Sequence, residues 1–92
     1  MKKLWSDKAW DDYLYWQTQD KRTLRRINKL LASIERSKES PDDQDKPIGK
    51  AEKLKYSNAG LFSVRIDETN RLVYKIEENG TLSVVSCKGH YQ

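Results

Sequence analysis

The apolar pattern of this chain changes its period once, and that change limits the fold more than any other feature. Leu24, Ile27, Leu31 and Ile34, with Leu30 beside them, recur at the spacing of one helix face. From Leu61 onward the pattern alternates instead. Phe62, Val64 and Ile66 fall on one side, with Ser63 and Arg65 on the other; Leu72, Tyr74 and Ile76 then fall opposite Arg71, Val73 and Lys75. Helical sequence followed by strand sequence predicts an α+β fold, with helices gathered on one face of a sheet.

Punctuation residues set the boundaries. Lys2 to Trp5 reads as a short first strand, and Ser6 as the N-cap of a first helix. In that helix Trp10, Tyr13, Leu14 and Gln17 share one face, while Asp7, Asp11 and Asp12 suit its positive N-terminal end. Asp20 is placed to cap a second helix, so the pair reads as an αα-hairpin. The helical stripe stops near Arg36, and residues 37–48 (SKESPDDQDKPI), with both prolines, read as an acidic surface loop. Asp67-Glu68-Thr69-Asn70 reads as a turn, Asn79-Gly80 as a hairpin, and Thr81 to Cys87 as the last strand. The expected order is β-α-α-β-β-β: two N-terminal helices packed on one mainly antiparallel sheet, a three- or four-stranded meander. Ninety-two residues fit one domain, 1–92.

Composition narrows the function. Charged residues (35%) nearly equal apolar ones (36%), but three Trp, five Tyr and the periodicity argue for a packed domain over disorder. No apolar run reaches the roughly 18–20 residues that span a bilayer, and the N-terminus lacks the apolar stretch of a signal peptide. The lone Cys87 forms no internal disulfide, so a reducing cytoplasm is expected. The net charge of +4 is uneven: seven Lys/Arg against Glu35 alone over residues 21–38, then four acids and no base over 39–45. Such a basic surface favours a polyanion or an acidic partner, although solvated helix faces are often basic too.

One His and one Cys do not supply a zinc site, and no Gly-rich phosphate loop, nucleophile elbow or calcium loop is present. An enzyme of this composition works with side chains alone. Histidine's unperturbed pKa of about 6.5 would let His90 lend and recover a proton at cellular pH, and Tyr91 beside it can stack on a base. Arg65 and Arg71 lie on the polar side of adjacent strands, where two forks suit a phosphodiester gaining charge. Glu52, flanked by Lys50, Lys53 and Lys55, is a carboxylate that positive neighbours keep ionised. Taken singly, each has an ordinary reading: a surface histidine on the tail, two solvated strand arginines, a surface ion pair.

Their order is more specific. WSDKAWDDYLYW at 5–16, GKAEKLK at 49–55, GLFSVRI at 60–66, RLVY at 71–74 and the final HY at 90–91 together resemble the YoeB/Txe family of bacterial toxins, which belong to the RelE-type mRNA interferases. The resemblance implies a microbial-ribonuclease-like fold and cleavage of messenger RNA in the A site of the 70S ribosome. It matches Glu52 to a general base acting on the ribose 2′-OH, and Arg65 and Arg71 to the arginines that stabilise phosphate charge. It matches His90 to the general acid for the departing 5′-oxygen, Tyr91 to a tyrosine orienting the substrate, and Lys55 to a lysine near the phosphate; Lys50, on the other flank of Glu52, is expected to bind substrate with it. No metal or other cofactor is implied.

Implied partners are a YefM-type antitoxin, operator DNA only through the antitoxin complex, and in some relatives a second copy. Trp10, Tyr13 and Trp16 cannot all face one core and offer a surface for such a homodimer. The chain departs from the family at Val64, where a second arginine is common, at Gly89, where an aromatic commonly precedes the histidine, at Gln92, and in its long acidic loop. Two rival readings remain at this point: a ParE-like inhibitor of a protein target, and a non-catalytic nucleic-acid-binding module.

Overall fold

Ser6 begins the fold by joining the first helix to the last strand. Its backbone is extended and its Oγ accepts the Ala9 N–H at 3.0 Å, which caps the helix. The same hydroxyl donates to the Val85 carbonyl at 2.7 Å, and the Ser6 N–H donates to the Val84 carbonyl. The computed structural model describes residues 2–39, 51–54 and 60–89. In order these form β1 (Lys3–Trp5), α1 (Asp7–Gln19), α2 (Lys21–Glu39), β2 (Glu52–Lys53), β3 (Phe62–Arg65), β4 (Arg71–Ile76) and β5 (Leu82–Ser86). No helix among the described residues is long and apolar enough to cross a membrane.

Asp20 alone separates the two helices. Its N–H closes α1 onto the Trp16 carbonyl, and its carboxylate takes the N–H groups of Arg22 and Thr23 and the Thr23 hydroxyl, starting α2. Hydrogen bonds from the Thr23 hydroxyl and backbone hold the Asp20 carboxyl below its ordinary range. The second helix runs to Glu39 and takes in the first three residues of the expected loop. Residues 40–48 of that loop lie outside the described residues.

The strands make one five-stranded sheet in the order β1-β5-β4-β3-β2. The meander is four-stranded and antiparallel, and β1 adds to its far edge parallel to β5. The short strand β2 is the fourth of the three or four expected, and its two residues carry no periodicity that marks it in the sequence. Asn79-Gly80 turns the β4–β5 hairpin, with Gly80 at a φ of 91° that other residues rarely adopt.

Both helices cover one face. Ile27, Leu30, Leu31 and Ile34 of α2 pack with Val64, Leu72, Tyr74, Leu82 and Val84 from the sheet. Each such buried aliphatic contributes about 1.5–3 kcal/mol relative to exposure. The first helix buries a different side from the one its aromatics suggest: Ala9, Asp12 and Trp16 point inward, while Trp10 (47% exposed) and Leu14 stand in solvent. A carboxylate on the inward face disguises that side. Asp12 is buried because it accepts the Cys87 N–H at 3.0 Å and the Lys8 ammonium at 2.8 Å. Trp10 instead stacks on Tyr13, and both touch Trp5 at the β1 edge.

Candidate active site

On the face turned away from the helices, Glu52 and Arg65 are exposed and Arg71 is half-buried, while Ser63 and Val73 beside them are fully buried. Strand alternation puts Glu52, Ser63, Arg65 and Arg71 on this face, because Glu52 pairs with Ser63 and Arg65 with Arg71. The same alternation places Val64 in the core at 1% exposure, so it is turned away from Arg65 and has no part in gripping a ligand there.

Arg71 is the centre of the arrangement. Its Nε donates to Ser63 Oγ at 2.6 Å, and one terminal nitrogen lies 3.7 Å from Glu52 Oε2. Its backbone N–H donates to the Gly89 carbonyl at 3.1 Å. The Arg71 side chain is 19% exposed and that of Glu52 is 72% exposed, so a partly sunk guanidinium faces a freely hydrated carboxylate. That ion pair is long and wet, worth under about 1 kcal/mol, and leaves Glu52 free to meet a ligand. Glu52 pairs ionically with Arg71; Lys53, its neighbour, sits opposite Phe62 in the ladder.

Arg65 directly opposes Arg71 across the ladder. Two like charges at such positions cost stability. The terminal N–H groups of the Arg71 fork suit a phosphate oxygen.

The chain leading to His90 arrives at this corner. Cys87 donates its N–H to Asp12 and accepts the Trp16 indole N–H at 2.8 Å, and the Lys88 carbonyl accepts from Lys8. Gly89 donates its N–H to Asn70 Oδ1 at 2.8 Å. Asn70 is set in turn by Asp67, whose carboxylate takes the Asn70 side-chain amide and the backbone N–H groups of Thr69 and Asn70. Burial pushes the Asp67 carboxyl up, but the Asn70 and Thr69 hydrogen bonds outweigh it and leave it below its ordinary range. Cys87 is no nucleophile, since burial, with Asp12 beside it, pushes its thiol up to about 12.

A model of the YoeB-like toxins of bacterial type II toxin–antitoxin systems matches residues 5–91, which include every segment just described. The chain belongs to that family. It is 42% identical over 91 residues to Toxin YoeB of Escherichia coli K12, covering 99% of this chain and 100% of that one. It is also similar to two solved Staphylococcus aureus structures, each covering 99% of this chain and 98% of the other. The YoeB dimer gives a TM-score of 0.82 at 39% identity, and the YoeB–YefM complex 0.80 at 40%. The chain is therefore a toxin of a type II toxin–antitoxin system with the fold of its YoeB relatives.

Of the site expected for a YoeB-like toxin, Glu52, Arg65 and Arg71 stand together on the face turned away from the helices. Lys50, Lys55, His90 and Tyr91 lie outside the described residues. Among the described residues no group of three or more His, Cys, Asp or Glu is arranged to hold a metal. Sequence reasoning passed over Ser63 and Asn70. Ser63 carried a signal, since it shares the polar side of β3 with Arg65; Asn70 looked like any turn residue.

Proposed function

We propose that this toxin is a metal-independent endoribonuclease that cuts messenger RNA in the ribosomal A site and so stops translation. Glu52 takes the proton of the ribose 2′-OH, and that oxygen attacks the adjacent phosphorus. Arg65 and Arg71 stabilise the charge that builds on the phosphate oxygens. His90 gives a proton to the departing 5′-oxygen, Tyr91 orients the substrate, and Lys50 and Lys55 hold the phosphate backbone. The products are a 2′,3′-cyclic phosphate and a 5′-hydroxyl. Internal attack by the 2′-OH needs no metal, and each proton transfer supplies roughly 10²–10⁴ in rate.

The observation that carries this reading is the meeting of Glu52 with Arg71, 3.7 Å apart and opposite Arg65, on a face no helix covers. A base beside two phosphate forks supplies the attacking half of the reaction, the activation of the 2′-OH and the neutralisation of phosphate charge. The chain enters His90 from Gly89, which is bonded to Arg71 itself.

In the cytoplasm the partners are the 70S ribosome and its messenger, a YefM-type antitoxin, and operator DNA reached only through that antitoxin. The Trp5–Trp10–Tyr13 surface is the place for a homodimer contact. The test is cleavage of ribosome-bound messenger by Glu52→Ala and His90→Ala, with ends mapped and excess chelator present. Both variants should lose cutting by about 10²-fold or more while the wild type ignores chelator. Wild-type cutting by both variants would return the chain to the protein-inhibitor or RNA-binding readings.

A further inference from the structure

The peptide before His90 is gripped in two parts. The first helix holds Cys87 and Lys88: Asp12 takes the Cys87 N–H, Trp16 donates to its carbonyl, and Lys8 donates to the carbonyl of Lys88. The Lys88 ammonium also sits 4.4 Å from the centroid of the Tyr15 ring. At Gly89 the grip passes to the end of the β3–β4 turn. Asn70 Oδ1 accepts its N–H and the Arg71 backbone N–H donates to its carbonyl, so both polar groups of Gly89 are bonded where the turn enters β4.

Asn70 is built for this. Its Nδ2 lies 3.1 and 3.0 Å from the two oxygens of Asp67. A carboxylate accepts only, so the amide nitrogen must face Asp67 and the amide oxygen must face Gly89. Gly89 has a φ of 89°, a conformation that side chains strain, although a Cβ there would meet nothing within 4 Å. The glycine is thus kept for its backbone angle, which sets the direction in which the chain leaves Arg71.

We propose that Asn70 is a positioning residue for the reaction: by fixing Gly89 against Arg71 it sets the acid of residue 90 relative to the phosphate held by Arg65 and Arg71. This rests on the reading of His90 as the general acid. The turn is closed without the Gly89 contact, by the Asp67 carboxylate on the N–H groups of Thr69 and Asn70 and by the Ile66 and Asp67 N–H groups on the Asn70 carbonyl.

The experiment compares wild type, Asn70→Ala and His90→Ala on ribosome-bound messenger, once with a normal linkage and once with sulfur replacing the bridging 5′-oxygen at the cut. A thiolate leaves without a proton, so loss of the acid no longer matters on that substrate. Asn70→Ala should lower kcat by about 10–100-fold with KM little changed, as expected for an acid misplaced by about an ångström. The sulfur linkage should restore Asn70→Ala and His90→Ala alike, to within about threefold of wild type. Gly89→Ala, which leaves the turn intact, should repeat the pattern, so the result does not hang on one variant's folding.

Three results overturn the inference: normal kcat in Asn70→Ala and Gly89→Ala, loss expressed as KM, or loss that sulfur does not rescue. If His90→Ala itself cuts the normal linkage at the wild-type rate, the assignment of the acid fails instead. The two failures are told apart by that one variant.

Discussion

The side chain of Arg71 is anchored to Ser63 by a 2.6 Å hydrogen bond from Nε to Oγ. Ser63 is fully buried between β2 and β4, while the terminal end of the guanidinium reaches the surface near Glu52. The bond fixes one corner of the fork and leaves the other N–H groups for a phosphate. A hydroxyl in a closed site thus aims a cation in an open one.

Ser63→Ala should therefore lower cleavage by roughly tenfold, since a hydrogen bond to a charged group is worth about 1.5–3 kcal/mol and some of it is recovered by water. Single-turnover cleavage on programmed ribosomes checks this. Cutting at the wild-type rate would mean that Arg71 holds its pose without the hydroxyl.

Asp12→Ala should destabilise the fold by about 1–3 kcal/mol, because the buried N–H of Cys87 loses its acceptor. Asp12→Asn keeps an acceptor there while losing the ion pair to Lys8, and should lose less. Thermal melts of both variants give the comparison; equal losses would remove the Cys87 bond from the account.

Leu72 is fully buried in the core between the helices and the sheet. Leu72→Ala should reduce the unfolding free energy by about 2–5 kcal/mol, a large share of the total for a chain this small. Urea denaturation measures it, and a loss under about 1 kcal/mol would show that the core closes over the gap.

Acid should act through Asp67. Its folded pKa lies below its unfolded one, so the stabilisation is present above the unfolded value of about 3.9 and disappears as pH falls through the folded value. Asp67 is exposed, so solvent limits the effect to about 1 kcal/mol or less. Asp67→Asn should be less stable than wild type at neutral pH, and the two denaturation midpoints should converge in strong acid. A constant gap across that range would remove the carboxylate charge from the explanation.

The sequence made the stripe of α2 legible, along with the caps at Ser6 and Asp20, the Asn79-Gly80 hairpin and the shared side of Arg65 and Arg71. Each depends on residues a few positions apart, or on a hairpin whose register a turn sets. The inward side of α1 was not legible. Asp12 counts as a solvated acid until Cys87, far along the chain, supplies its N–H.

By itself, then, the sequence determined the α+β class, the polar side that carries Arg65 and Arg71, and membership of the YoeB-like family. Local periodicity and ordered motifs need no knowledge of distant contacts. Only the tertiary structure decided that β1 closes the sheet parallel to β5, and that Glu52 reaches Arg71 through the two-residue pairing of β2. It alone brought Ser63 to Arg71 and Asn70 to Gly89. Those contacts join residues whose types are ordinary in isolation, and they become specific only when strand register sets the distance between them.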